Sequence, residues 1–316
     1  MAKHFLGIEI GGTKLQLGIG AGDGSDIVAI ERRDINIASG APGILAQIEE
    51  AGRILLSKHQ VQRIGVGFGG PVNSELGRVI KSHQVDGWDD IALGEWCEDK
   101  LGVPAVLGND CDCAALAEAS FGAGQGSRTV FYVTVGTGIG GGLVIEGSLH
   151  GIGRPSVAEI GHLRPGISAD TPAATVESYA AGPGIVAAAE RFLETSDDEA
   201  AKSELQHCKM ESILTAKRIA DLATSGNSIA KSAVFQGTCV LGWAIAQVIT
   251  ITSADVVIVG GGVSSIGEEH FFQPLRNEVA RYVFPPLADS YRILSASLGE
   301  EVVVHGALTL AKAATG

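Results

Sequence analysis

Phe5-Leu6-Gly7-Ile8-Glu9-Ile10-Gly11-Gly12-Thr13-Lys14-Leu15-Gln16-Leu17-Gly18-Ile19 decides the fold. Apolar runs on both sides of Gly11-Gly12-Thr13-Lys14 read as two β-strands joined by a tight turn, a place where glycine adopts backbone conformations that other residues resist. The plan recurs further on: a strand over residues 129–135, the turn Gly136-Thr137-Gly138, and a strand over 142–146. Two copies of one domain type, facing each other across a cleft, are the expectation.

Working outward, a strand is expected over residues 27–35. A helix over 43–58 presents Ile44, Leu45, Ile48, Ala51, Leu55 and Leu56 roughly on one face. A strand over 63–68 ends in the breaker Gly69-Gly70-Pro71, a helix covers 91–100, and a short buried strand at 104–107 precedes Asn109. Residues 176–235 read as predominantly helical. Residues 240–250 form a buried helix, and the apolar run there is too short to span a bilayer. A strand over 256–259 ends in Gly260-Gly261-Gly262, and the terminal segment 302–314 becomes helical after Gly306. Buried strands alternating with crossover helices give an α/β class. The expected domains are residues 1–118, with a terminal helix over 298–316 packing back on them, and a larger domain over 119–297.

The chain carries a formal charge of −13. That disfavours a nucleic-acid or anionic-membrane surface, which needs a basic face. It leaves an anionic ligand open, because backbone N–H groups and a metal can hold phosphate. The 44 glycines follow no collagen period and cluster beside apolar runs, suggesting tight turns and close backbone approach to a ligand. Cys97, Cys111, Cys113, Cys208 and Cys239 have no regular spacing and read as free thiols. The start shows no basic region, apolar stretch and cleavage site, so cytoplasm is the expected location.

Gly136-x-Gly138-x-x-Gly141 has the spacing of a dinucleotide fingerprint, but a strand follows where that motif needs a helix. A hairpin tip rich in glycine can instead cradle phosphates, and two such tips could clamp the β- and γ-phosphates. Gly260-Gly261-Gly262 could bring backbone against a nucleobase or ribose. Asn109-Asp110 stands between a strand and an alanine-rich helix, at the edge of a cleft. A carboxylate there can accept the proton of an attacking hydroxyl, and it can also cap the helix.

In order along the chain, the marks are Gly7-Ile8-Glu9-Ile10-Gly11-Gly12-Thr13-Lys14, Gly67-Phe68-Gly69-Gly70-Pro71-Val72, Gly108-Asn109-Asp110, residues 136–142, Glu159-Ile160-Gly161-His162 and Gly260-Gly261-Gly262. With these the chain resembles the ROK family of sugar kinases and their repressor relatives, within the actin-like ATPase superfamily of ribonuclease H-like fold. The resemblance implies two α/β domains around a central cleft, with ATP and Mg²⁺ as cofactors and a small neutral sugar as partner. It makes Asp110 the catalytic base, and Asn109, Glu159, His162, Glu177, Gly70 and Gln84 the sugar contacts. Gly11, Gly12, Thr13, Lys14, Gly136, Thr137 and Gly138 become the phosphate turns, and Gly261 and Gly262 the approach to the adenosine part.

Two departures stand out. Glu9 replaces the commoner aspartate; it keeps the charge for Mg²⁺ on a longer arm, for direct or water-mediated contact. The family's cysteine cluster after the Glu-x-Gly-His motif is missing: residues 163–171 hold no cysteine, so no zinc site is expected and packing must hold this loop.

The expected reaction is transfer of the ATP γ-phosphoryl to the 6-hydroxyl of a hexose, glucose first. The alternatives are a kinase for fructose, mannose or an N-acetylated hexosamine, or a non-catalytic sugar sensor. The loops around Asn73, His83, Gln84 and His150 are expected to touch the hydroxyls that separate these sugars. A homodimer through the helical second domain is also expected.

Overall fold

The computed structural model describes residues 3–82, 84–154 and 156–315; His83, expected near the acceptor, lies outside them. In chain order the elements are β1 (Phe5–Ile10), β2 (Lys14–Gly20), β3 (Ala29–Asp34), α1 (Gly40–Leu56), β4 (Ile64–Phe68), β5 (Val72–Asn73), β6 (Arg78–Val79), α2 (Leu93–Leu101), β7 (Ala105–Asn109) and α3 (Asp110–Phe121). There follow β8 (Thr129–Val135), β9 (Ile139–Ile145), β10 (Ser148–Leu149), α4 (Val176–Ala180), α5 (Gly182–Thr195), α6 (Glu199–Glu211), α7 (Ala216–Thr224) and α8 (Ser228–Thr252). The chain ends with β11 (Val256–Gly260), α9 (Gln273–Tyr282), β12 (Arg292–Ser295) and α10 (Val302–Ala313). Two compact units result. One holds the described residues up to Arg128, Gly142–Val157 and the chain from Ser297 onward; the other holds Thr129–Gly141 and Ala158–Ala296.

In the first unit the sheet order is β3-β2-β1-β4-β7, antiparallel on the hairpin side and parallel from β1 to β7. One face is covered by α1, whose Ile44, Ile48 and Leu55 pack with Ile8, Ile10, Leu17, Val66 and Phe68. Each such side chain, fully buried, contributes about 1.5–3 kcal/mol. A second cluster joins Phe5 to Val304, Leu308 and Ala311 of α10.

The terminal helix begins at Val302 and runs straight through Gly306, which corrects the expectation that helix starts only after that glycine. The reason lies in packing. A Cβ on Gly306 would stand 1.9 Å from the carbonyl oxygen of Cys113 in α3, and one on Gly65 of β4 would stand 1.8 Å from that of Ala307. α10 lies so close to α3 at Gly306 and to β4 at Gly65 that only glycine fits. Part of the glycine excess therefore serves helix-on-sheet packing as well as turns.

The second unit repeats the pairing plan. β8, β11 and β12 run parallel, as β1, β4 and β7 do, and β9 follows β8 through a three-residue glycine turn. β9 starts at Ile139, directly after that turn and earlier than the sequence suggested, and extends through Ile145 as strand. From Gly142 onward β9 belongs to the first unit, and its end pairs antiparallel with β10, as β2 pairs with β3. α8 is longer than expected, 25 residues, and is long and apolar enough by length and composition to cross a membrane. Here it packs against α4, α5, α7 and α9, with Leu241, Ala244, Ile245 and Ile249 buried. All five cysteines are free, and burial pushes the Cys97 thiol up to about 12 and that of Cys113 well above its ordinary range.

Candidate active site

Register places the first half of the site. Ile10 of β1 pairs with Phe68 of β4, and Phe68 with Asn109 of β7, so the three parallel strands end level. The residues just past those ends, Gly11, Gly69 and Asp110, therefore meet at one edge. The carboxyl ends of parallel strands are where open α/β sheets bind ligands. A Cβ on Gly69 would lie 3.2 Å from the Ile10 carbonyl and 3.4 Å from Asp110 Oδ2, which measures how closely Asp110 approaches this turn.

Asn109 is the N-cap of α3. Its Oδ1 accepts the Cys111 N–H at 2.8 Å, and its Nδ2 donates to the Gly70 carbonyl at 3.0 Å. The residue predicted to touch sugar thus also fixes the Gly69-Gly70 turn to the helix start. Asp110 Oδ1 accepts the same Cys111 N–H at 2.8 Å. Asp110 is half-buried, and holding the helix start is compatible with the base role predicted for it, because a carboxylate has two oxygens.

The first glycine turn is closed by Gly11 N–H donating to the Lys14 carbonyl at 3.0 Å, and Thr13 O receives Ile35 N–H at 2.9 Å. Lys14 Nζ lies 3.4 Å from the Glu300 carbonyl. Gln84 lies over Gly12, its Oε1 where a Cβ on that glycine would stand. The first unit therefore brings together Glu9, residues 11–14, Gly70, Gln84, Asn109 and Asp110.

Glu9 sits half-buried in β1, opposite Gln16 in the hairpin register. Burial pushes its carboxyl up. Lys14 and a hydrogen bond from Gln16 oppose that rise, while the Asp110 and Glu300 charges add to it. A desolvated carboxylate with two acidic neighbours is a pocket that a cation would relieve.

The second unit builds its own cluster. Gly136 N–H donates to the Gly138 carbonyl at 2.9 Å, and Gly182 N–H, at the start of α5, donates to the Gly136 carbonyl at 2.8 Å. Glu177 Oε2 accepts the Ile139 N–H at 2.7 Å and would be 2.7 Å from a Cβ on Gly138. One oxygen of this predicted sugar ligand therefore braces the second glycine turn.

Glu159 and His162, both exposed, bracket a short 3-10 turn whose Gly161 lies against Ile139: a Cβ there would be 2.2 Å from the Ile139 carbonyl. Ala158, just before Glu159, has φ +61°, an uncommon conformation for a residue other than glycine that aims the turn. The loop after His162 is tied by Val176 N–H donating to the Leu163 carbonyl at 2.9 Å, and by a capping box between Thr175 and Ser178. Gly261, at φ +85°, lies against Val135; a Cβ would come within 2.5 Å of its carbonyl. The turn of Gly261 and Gly262, predicted to approach the nucleotide, thus sits beside the strand end that leads into Gly136. Among the described residues no group of three or more His, Cys, Asp or Glu side chains could hold a metal ion.

Gln16, beside Glu9, escaped the sequence reading, and so did Glu118, a buried carboxylate that ties α3 to the segment before α10. Gln16 could have been found by counting back from the turn: with Ile10 opposite Leu15, the next pair is Glu9 and Gln16. No local signal marks Glu118.

Fold and site together define an ATP-dependent sugar kinase of α/β architecture. The chain belongs to the ROK family, whose profile matches residues 5–314. It is 30% identical to a glucokinase of Halalkalibacterium halodurans, over 98% of this chain and 95% of that one. It is 29% identical to a glucokinase of Thermotoga maritima, over 98% of each. Among solved structures it superposes on a ROK family glucokinase from Streptomyces griseus, in complex with glucose and AMPPNP, with TM-score 0.82 and 28% identity, covering 98% of this chain and 99% of that one.

Proposed function

We propose that this kinase transfers the γ-phosphoryl of ATP to the 6-hydroxyl of a hexose, with glucose the preferred acceptor and Asp110 the general base. The observation carrying this reading is the meeting of Asp110 with Gly11 and Gly69 at one edge of the parallel strands. A carboxylate there can take the hydroxyl proton as the oxygen attacks phosphorus in line, and phosphoryl transfer asks little else of a side chain beyond positioning. The likeness to glucokinases along nearly the whole chain supports glucose.

Mg²⁺ fits the residues present. Glu9 Oε2 is committed to Gln16, which leaves Oε1 for the ion, held directly or through a water. When bound with the nucleotide, the ion neutralises phosphate charge. Asn109, Glu159, His162 and Glu177 are acceptors suited to sugar hydroxyls, and such a site discriminates strongly through paired hydrogen bonds.

The test is an ATP-dependent phosphorylation screen of hexoses and amino-hexose derivatives with wild type and Asp110→Asn. Transfer should fall by about two to four orders of magnitude in the variant while sugar binding survives. Glucose 6-phosphate should be the leading wild-type product. Near-wild-type transfer by the variant moves the base elsewhere; sugar binding without turnover in wild type points to a sensor.

A further inference from the structure

Gln16 is fully buried, a rare position for an amide side chain, and all its bonds lead to one place. Its Nε2 donates to Glu9 Oε2 at 2.6 Å and to the Glu300 carbonyl at 3.0 Å. Its Oε1 accepts from Arg32 Nε at 2.9 Å, and Arg32 in turn pairs with Glu301. Arginine can only donate, so the amide oxygen must face Arg32 and the amide nitrogen must face Glu9. The orientation of Gln16 is thereby fixed by chemistry, and with it the rotamer of Glu9.

We propose that Gln16 is a positioning residue for the phosphoryl-transfer site: a relay from exposed Arg32 through fully buried Gln16 holds Glu9 Oε2 and leaves Oε1 for the Mg²⁺–nucleotide. This rests on the kinase reading, because Glu9 matters only where a metal-bound nucleotide is handled. It gives the longer Glu9 side chain a physical companion. A glutamate has one more rotatable bond than aspartate, and a carboxylate that must present one oxygen needs its other oxygen held. Partners of this kind typically change metal affinity or activity by about 10–100-fold when removed. The same relay reaches Glu300 and Glu301 beside the start of α10, so the hairpin and the returning helix share one polar anchor.

The experiment compares wild type with Gln16→Met, Arg32→Met, Glu9→Gln and the double variant Glu9→Gln/Gln16→Met. Gln16→Met keeps length and removes every hydrogen bond. Calorimetry reads AMPPNP affinity as a function of Mg²⁺ concentration, independently of turnover; circular dichroism checks the fold. Gln16→Met should weaken the Mg²⁺-dependent part of AMPPNP affinity by about tenfold or more, leaving metal-free AMPPNP binding and sugar binding unchanged. Arg32→Met should shift it the same way by less. The double variant should bind no worse than Glu9→Gln alone, because Gln16 acts through Glu9.

If Gln16→Met costs the same factor with and without Glu9, or leaves the Mg²⁺ dependence unchanged, the proposal is overturned. Should Gln16→Met fail to fold, Arg32→Met decides: an unchanged Mg²⁺ dependence refutes the relay. A wild type that binds Mg²⁺–AMPPNP but phosphorylates no sugar sinks the hexose reading, while the binding series still judges Gln16.

Discussion

Glu118 is fully buried in α3, and its carboxylate is ringed by donors. Oε1 accepts the N–H groups of Ser297 at 2.7 Å and Leu298 at 2.9 Å; Oε2 accepts Ala123 N–H at 2.8 Å and the Ser297 hydroxyl at 3.1 Å. The residue thereby fastens the end of α3 to the segment that leads into α10. Glu118→Ala strands three backbone N–H groups and a hydroxyl. An unsatisfied buried donor costs about 1–3 kcal/mol, but the vacated space lets water in, so the net loss should be about 3–5 kcal/mol, as for other broken buried charge networks.

Glu118→Gln keeps the shape and is the sharper probe. Its NH₂ must occupy one oxygen's place. At Oε1 it would confront two N–H donors; at Oε2 it confronts only Ala123 N–H, and the Ser297 hydroxyl can turn to accept. The second arrangement wins, one bond is lost, and the expected cost is about 1–3 kcal/mol. Urea titration of the full chain followed by circular dichroism should give the order wild type, Gln, Ala. The thermal midpoint should fall by about 6–20 °C for Ala. A Gln variant as stable as wild type, or an Ala variant losing under about 1 kcal/mol, would refute the reasoning.

Gly65→Ala should cost about 3 kcal/mol, because the new methyl meets the Ala307 carbonyl at 1.8 Å and α10 must shift; an unchanged urea midpoint would contradict that packing. Gly136→Ala meets nothing within 4 Å, so stability should stay within about 0.5 kcal/mol while AMPPNP affinity falls; the reverse pattern would count against the phosphate turn. Burial raises the Glu9 pKa above 4.5, so the folded state binds the proton more tightly than the unfolded state, and stability drops as pH rises from 4.5 to the raised pKa. Glu9→Gln removes this loss, and its stability advantage over wild type should grow as pH rises from 4.5 through the raised pKa and stay level beyond it; a flat difference would disprove it. A homodimer through the helical second unit, where α8 exposes Phe235, should give twice the monomer mass by light scattering, and a monomer at working concentration would refute it.

Much of the fold was legible because its signals are local. Alternating apolar runs broken by glycine located both hairpins, and the apolar spacing of Ile44, Ile48 and Leu55 located α1 to within a few residues. The Asn109-Asp110 step before an alanine-rich run announced a helix start, but the capping expected of a carboxylate falls to Asn109, the N-cap of α3. Of the candidate site, the sequence brought forward the glycine turns and the Asn109-Asp110 step. It did not reveal that Asn109 also holds Gly70, or that Glu177 braces Ile139.

The chain by itself determined the elements, their glycine turns and the family, since each is written in residues close together. Tertiary structure decided what distant residues do to one another. The helix at Gly306 ran against its local propensity because α3 leaves room there for nothing larger, and propensity of about 1 kcal/mol yields to packing. Glu118 met Ser297 and Leu298 across 179 and 180 positions, and Gln16 met Glu300 across 284. Such pairings depend on which faces a fold buries together, and burial makes them obligatory: a polar group removed from water must find a partner wherever the fold brings one.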